Sequence, residues 1–166
     1  MMRHLLFSMF TFATILMFSP QCWAEIDSQN ALTRIGDFMV GTWVPADQQD
    51  ENGPRKHVYA WALDRKFVRT NGELDPAPWH GYMGVDLKYN QVGWWGFFAD
   101  GTSGVIYLTK FTEKEWIFEG DDFGPNGKFR RKVTVKIPAD GKISSTIEDT
   151  LDGETTVVQQ DWVRYR

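Results

Sequence analysis

Arg131, Asp149 and Thr156 are the residues whose types and spacing point most directly at chemistry in this chain. Across 127–137, Phe129, Arg131, Val133, Val135 and Ile137 alternate with Arg130, Lys132, Thr134 and Lys136, the period of a half-buried strand. The apolar set must face inward, and it carries Arg131 into an apolar interior. In 142–151 the inner face is set by Ile143, Ile147 and Leu151, which take Ser145 and Asp149 with them. A three-residue turn at 139–141 sets Arg131 opposite Asp149 and Ile137 opposite Ile143. A two-residue turn would lay an apolar face beside a polar one and is rejected. With Asp152-Gly153 as the next turn, Asp149 falls opposite Thr156, Ile147 opposite Val158 and Ile143 opposite Trp162. The interior then holds a polar string, Arg131, Asp149 and Thr156, with Ser145 and Gln160 one step along. Two readings compete for it. One is an ion pair that fixes register and adds little net stability; the other is an anchor for the polar head of a ligand.

Other reactive side chains offer less. His57 shares a strand face with Tyr59 and Trp61, and His80 sits beside Trp79; neither has a metal-type partner at close spacing. Asp121-Asp122 falls in a Gly/Pro segment without the ligand ladder of a calcium loop. Gly101-Thr102-Ser103-Gly104 reads as a turn, and no nucleophile-elbow pattern occurs. No catalytic residue, metal ligand or cofactor site is therefore assigned. Aromatic residues make up 15% of the chain, with eight Trp, more than core filling requires and suited either to the pleated surfaces of a β protein or to a cavity lined with flat rings. Trp61, Tyr82 and Trp162 are assigned to such an interior. Trp94 and Trp95 point to opposite faces of one strand, so a single one of them can reach it.

The elements that must position these groups begin at 38–43, Phe-Met-Val-Gly-Thr-Trp. Before it, Ile26, Leu32, Ile35, Phe38 and Met39 recur at helical spacing, with Ser28 as N-cap. After it the period becomes two. Asn-Gly or Asp-Gly pairs recur at 52–53, 71–72, 100–101, 126–127, 140–141 and 152–153, the signature of a hairpin meander. Strands are expected near 40–46, 55–62, 66–73, 79–88, 91–99, 103–110, 114–120, 127–137, 142–151 and 154–164, with longer rim loops at 47–54 and 121–127. The fold class is all-β: an antiparallel up-and-down β-barrel of about ten strands, closed so that no edge is left bare, with a short N-terminal plug helix and Trp43 packed at its floor. A β-sandwich is the alternative.

These stretches resemble a known family. Phe-Met-Val-Gly-Thr-Trp at 38–43, Leu-Asp-Arg-Lys-Phe-Val at 63–68, Gly-Tyr-Met-Gly-Val-Asp at 81–86, Phe-Ala-Asp-Gly at 98–101 and the closing Trp-Val-Arg-Tyr-Arg are similar to the lipocalin-like bacterial proteins of domain of unknown function 1579. The resemblance implies a calycin-type barrel with an interior cavity and no agreed activity. The neighbouring nitrobindins hold haem through a late histidine; no histidine follows His80 here, so that function does not carry over.

The first 24 residues read as a cleaved signal peptide. Arg3 and His4 form a basic start, 5–18 an apolar run of secretory length, and Cys22-Trp23-Ala24 a cleavage boundary before Glu25. The run is too short for a transmembrane helix, and no stable membrane insertion is expected after cleavage. Processing removes Cys22, the only cysteine, and with it any thiol chemistry. Residues 25–166 form a single domain, large enough to need no staple. The formal charge of −4 and scattered basic residues argue against a nucleic-acid partner, and none is expected. The expected protein is thus periplasmic or secreted and binds a small, largely hydrophobic molecule in its interior without catalysis. Alternatives are an enzyme on a small hydrophobic substrate using an interior carboxylate or His, and an envelope partner or inhibitor acting through outer aromatics. Ligand identity and oligomeric state are left open.

Overall fold

The computed structural model describes residues 26–48, 55–73 and 78–165. The expected signal peptide and the Asn52-Gly53 turn lie outside the described residues. One helix, α1 (Ser28–Met39), precedes ten strands: β1 (Gly41–Pro45), β2 (Lys56–Ala62), β3 (Phe67–Glu73), β4 (Trp79–Asp86), β5 (Gln91–Phe98), β6 (Ser103–Phe111), β7 (Glu115–Gly124), β8 (Gly127–Ala139), β9 (Lys142–Leu151) and β10 (Glu154–Arg164). Each strand pairs with its sequence neighbour, and β1 pairs antiparallel with β10, closing the barrel. The up-and-down meander follows from short turns between period-two segments. Asp140-Gly141 and Asp152-Gly153 are both two-residue turns, with Gly141 and Gly153 at positive φ.

The helix stoppers the floor of the barrel. Ala31, Leu32, Ile35 and Met39 are buried with Trp43, which has no exposed surface. Trp43 Nε1 donates to the Met39 carbonyl at 2.7 Å, satisfying the indole where water cannot reach it. Arg164, from the last strand, stacks on Trp43 at 4.9 Å and donates to the carbonyls of Phe38 and Val40. The floor therefore joins α1, β1 and β10.

Four local expectations are corrected. The N-cap is Asp27, whose carboxylate accepts the Asn30 N–H at 3.0 Å, while Ser28 turns inward and donates to the Asn90 carbonyl at 2.7 Å. Asn71-Gly72 is no turn but part of β3; a Cβ at Gly72 would lie 1.8 Å from Trp79 Nε1, so the glycine makes room for the indole. The rim loop expected at 121–127 is strand almost throughout, with a two-residue turn between Gly124 and Gly127. Finally, the β8–β9 turn has two residues rather than three. The register shifts between Lys136 and Ala139, and this irregularity supplies the extra residue that face matching demands.

Candidate functional site

An interior cavity of about 140 Å³ occupies the barrel above the helix. Its walls are apolar and aromatic: Ile35 and Met39 rise from α1, and Tyr59, Met83, Ile106, Phe118, Val133, Val135, Ile143 and Ile147 come from the strands. Trp79, Trp94, Phe98, Trp116 and Trp162 supply rings, and His57, Ser145, Asp122 and Arg131 are its polar members. Period-two alternation selects them. On β7, for example, Trp116, Phe118 and Asp122 point in while Phe123 is 57% exposed. Trp94, not Trp95, lines the space. Trp79 stacks near Phe98 at 5.9 Å and tilts against Trp94 at 5.7 Å, so the rings brace one another.

The charged end is a triad. Arg131 and Asp149 stand directly opposite on β8 and β9. Arg131 Nε donates to Asp149 Oδ1 at 2.8 Å and Nη2 to Oδ2 at 2.7 Å, a bidentate pair. Its third nitrogen, Nη1, meets Asp122 Oδ2 at 2.7 Å. Phe98 and Phe129 lie on the guanidinium, each 5.1 Å from Cζ to ring centre. Burial works against the charge of Arg131, but the carboxylates of Asp149 and Asp122 outweigh it and hold the group protonated. Burial also pushes the Asp122 carboxyl above its ordinary range, with Arg131 opposing and Asp149 and Asp121 adding to the rise. Space for Asp122 comes from Gly104 opposite it: a Cβ there would sit 2.1 Å from Asp122 Oδ1.

The other expected interior residues fare unequally. Ser145 and Trp162 line the cavity, with Trp162 Nε1 donating to Ser145 Oγ at 3.0 Å and that hydroxyl donating to the Gln160 carbonyl at 3.2 Å. Thr156 stands opposite Asp149 as expected but is exposed, and Val158 is 61% exposed. The cause is the length of β1, whose pairing with β10 begins at Trp162, so the start of the last hairpin has no wall beside it among the described residues. Gln160 sits at this margin, its side-chain carbonyl 3.4 Å from Arg55 Nη1. Trp61 shares the inner face of β2 but is covered by α1, where its Nε1 donates to Asp37 at 3.2 Å; it lines the plug rather than the cavity. Tyr82 points outward, 41% exposed, because Trp79 and Met83 set the inner face of β4.

His57 and Asp122 are cavity residues outside the polar string expected from the last three strands. The Gly and Pro residues of 121–127, which read as a loop, hide Asp122 in the sequence. His57 shows no metal-type spacing, yet its alternation with Tyr59 already points it inward. Its ring stacks on Trp162 at 4.0 Å and meets Trp79 edge-on at 5.4 Å. Nε2 is buried without a hydrogen-bond partner among the described residues. Burial lowers the His57 pKa to about 3, so the ring is neutral at physiological pH. Among the described residues no cluster of His, Cys, Asp or Glu could hold a metal ion, and no helix is long and apolar enough to cross a membrane.

No protein-family model and no curated protein matches this chain.

Proposed function

We propose that this barrel binds a small, largely apolar molecule in its interior and does no chemistry on it. One observation carries the reading: a cavity of about 140 Å³ walled by apolar and aromatic side chains in the middle of a closed barrel. Empty apolar space forfeits contacts on every side, so a barrel built only for its own stability would fill it. The size limits the occupant. A cavity of about 150 Å³ in another protein holds benzene, whereas drug-sized ligands need roughly 300–1,000 Å³. A single ring fits; an extended lipid does not.

The enzymatic alternative is weaker. Asp149 is held bidentate by Arg131, and a histidine with a pKa of about 3 neither donates a proton at pH 7 nor accepts one strongly. The same triad argues against Arg131 as an anchor for an anionic head, because each of its nitrogens already meets a carboxylate. A role for the outer surface is favoured by Phe97 and Phe123, 55% and 57% exposed, which flank Ser103 on adjacent strands. Export through residues 1–24 and kinship with the lipocalin-like proteins belong to the same proposal.

Two measurements test it. Toluene added to the protein should raise its melting temperature in a saturable way, and Val133→Phe, which fills the cavity, should abolish that rise. Native mass spectrometry of protein purified from its own periplasm should show one co-purifying mass on a chain beginning at Glu25. No thermal response to toluene would overturn the cavity reading, and Met1 on the functional protein would overturn export.

A further inference from the structure

If the cavity is occupied, the premise on which this inference rests, the surroundings of His57 narrow the chemistry of the occupant. An unpaired polar nitrogen in a wall of Trp, Phe and Ile is costly unless something meets it. Among the described residues His57 Nε2 is in that position, while Ser145 and Arg131 are engaged. Ser145 accepts from Trp162 and donates to Gln160, and Arg131 is divided between two carboxylates.

Tyr59 decides what Nε2 offers. Its hydroxyl lies 3.4 Å from His57 Nδ1, on a side chain that is 3% exposed. A phenol O–H is a better donor than an imidazole N–H, and a bare imidazole nitrogen is a better acceptor than a phenol oxygen. Tyr59 is thus the favoured donor to Nδ1, which would leave the one proton of the neutral ring on Nε2. The ring is held in this pose between Trp162, stacked at 4.0 Å and 26°, and Trp79, perpendicular at 88°.

We propose that His57 is the polar recognition point of the cavity, its Nε2–H donating to the single hydrogen-bond acceptor of a neutral, one-ring-sized ligand such as a cyclic ketone. Neutrality follows from the surroundings. Among the described residues the only cation on the cavity wall is Arg131, which already faces two carboxylates, so an anion would enter against net negative charge. A donor-only ligand would leave two donors facing each other. A pure hydrocarbon fits the walls but leaves Nε2–H unmet.

The test uses cyclohexanone and methylenecyclohexane, which differ by an oxygen for a CH₂ group, titrated into the full protein. Comparing their affinity ratio in wild type and His57→Phe removes the difference in their solubility. The ratio should shift about ten-fold against the ketone in the variant, the scale of one neutral hydrogen bond plus the burial of an unmet donor. Methylenecyclohexane should bind the variant at least as well. Long-range proton–nitrogen NMR of the unaltered protein, which needs no variant to fold, should show His57 protonated at Nε2. That resonance should move on adding cyclohexanone and not methylenecyclohexane. An unchanged ratio, a proton on Nδ1, or equal responses to both probes overturns this proposal and leaves the cavity reading standing. Failure of both probes to bind the wild type overturns both.

Discussion

Removing Arg131 should be the most damaging single change to the charged end of the barrel. The side chains of Arg131, Asp122 and Asp149 are 15%, 6% and 29% exposed, and all three guanidinium nitrogens lie 2.7–2.8 Å from carboxylate oxygens. Arg131→Met strands two carboxylates beside each other, and breaking a buried pair in this way costs about 3–5 kcal/mol. Asp149→Asn leaves Arg131 on Asp122 and should cost about 1–2 kcal/mol, since the lost charge-assisted bonds are partly open to water. Asp122→Asn removes a carboxylate already disfavoured by burial and should cost under about 1 kcal/mol. The third partner also changes the double variant. Replacing both Arg131 and Asp149 with apolar residues would recover the loss if they were a simple pair, but here Asp122 remains buried alone. Replacing all three is what should restore stability. Urea denaturation at pH 7 and pH 5 measures this series. In Arg131→Met the carboxyl of Asp122 has a folded pKa above its unfolded one, so lowering the pH lets it take up a proton and shrinks the deficit. A loss for Arg131→Met no larger than that for Asp149→Asn, or one that grows toward pH 5, would show that the three charges do not act as a buried unit.

Three other substitutions probe the floor, the wall and the cavity. Trp43→Ala empties the floor and should lower stability by about 3–5 kcal/mol; a midpoint within error of wild type would place the indole outside the core. Gly104→Ala puts a methyl 2.1 Å from Asp122 Oδ1 and 2.7 Å from the Asp121 carbonyl; a loss of about 1–3 kcal/mol is expected, and Asp122→Ala should relieve part of it. His57, with a pKa of about 3 in the folded protein against an unfolded value of 6.5, is protonated only on unfolding between those values. It should therefore remove up to about 2 kcal/mol of stability between pH 7 and pH 5, and His57→Phe should flatten that part of the profile.

Register is legible in the sequence wherever an apolar face and a tight turn fix it together. Arg131 opposite Asp149, Asp149 opposite Thr156 and Ile143 opposite Trp162 all hold, because a slip of one residue would turn each strand inside out. Depth is not legible. Parity puts Thr156 on the inner face, but only a partner strand decides whether that stretch has an interior, and among the described residues β1 pairs with β10 no earlier than Trp162. Trp61 shows the same gap: its face is set by alternation within β2, whereas the helix that covers it is a distant neighbour. Composition misleads where Gly and Pro cluster. The segment 121–127 reads as loop, yet Gly104 and Gly120 allow β6 and β7 to approach closely enough to continue as strands. Tyr82 is the simpler case, since alternation with Trp79 and Met83 already turns it outward.

The clasp at the barrel floor bears on how the chain is made. Arg164 reaches the Val40 carbonyl across 124 residues of sequence, and β1, already paired with β2 on one side, finds its second neighbour only in β10. A nascent chain therefore carries its first strand and helix for nearly the whole of synthesis without the partner that completes them. Such long-range pairing makes for slow folding, and it keeps early segments from locking before the end of translation. For a polypeptide exported as proposed, threaded through a translocation pore, delayed closure is an advantage: the barrel becomes a barrel only after the last strand has followed the first across.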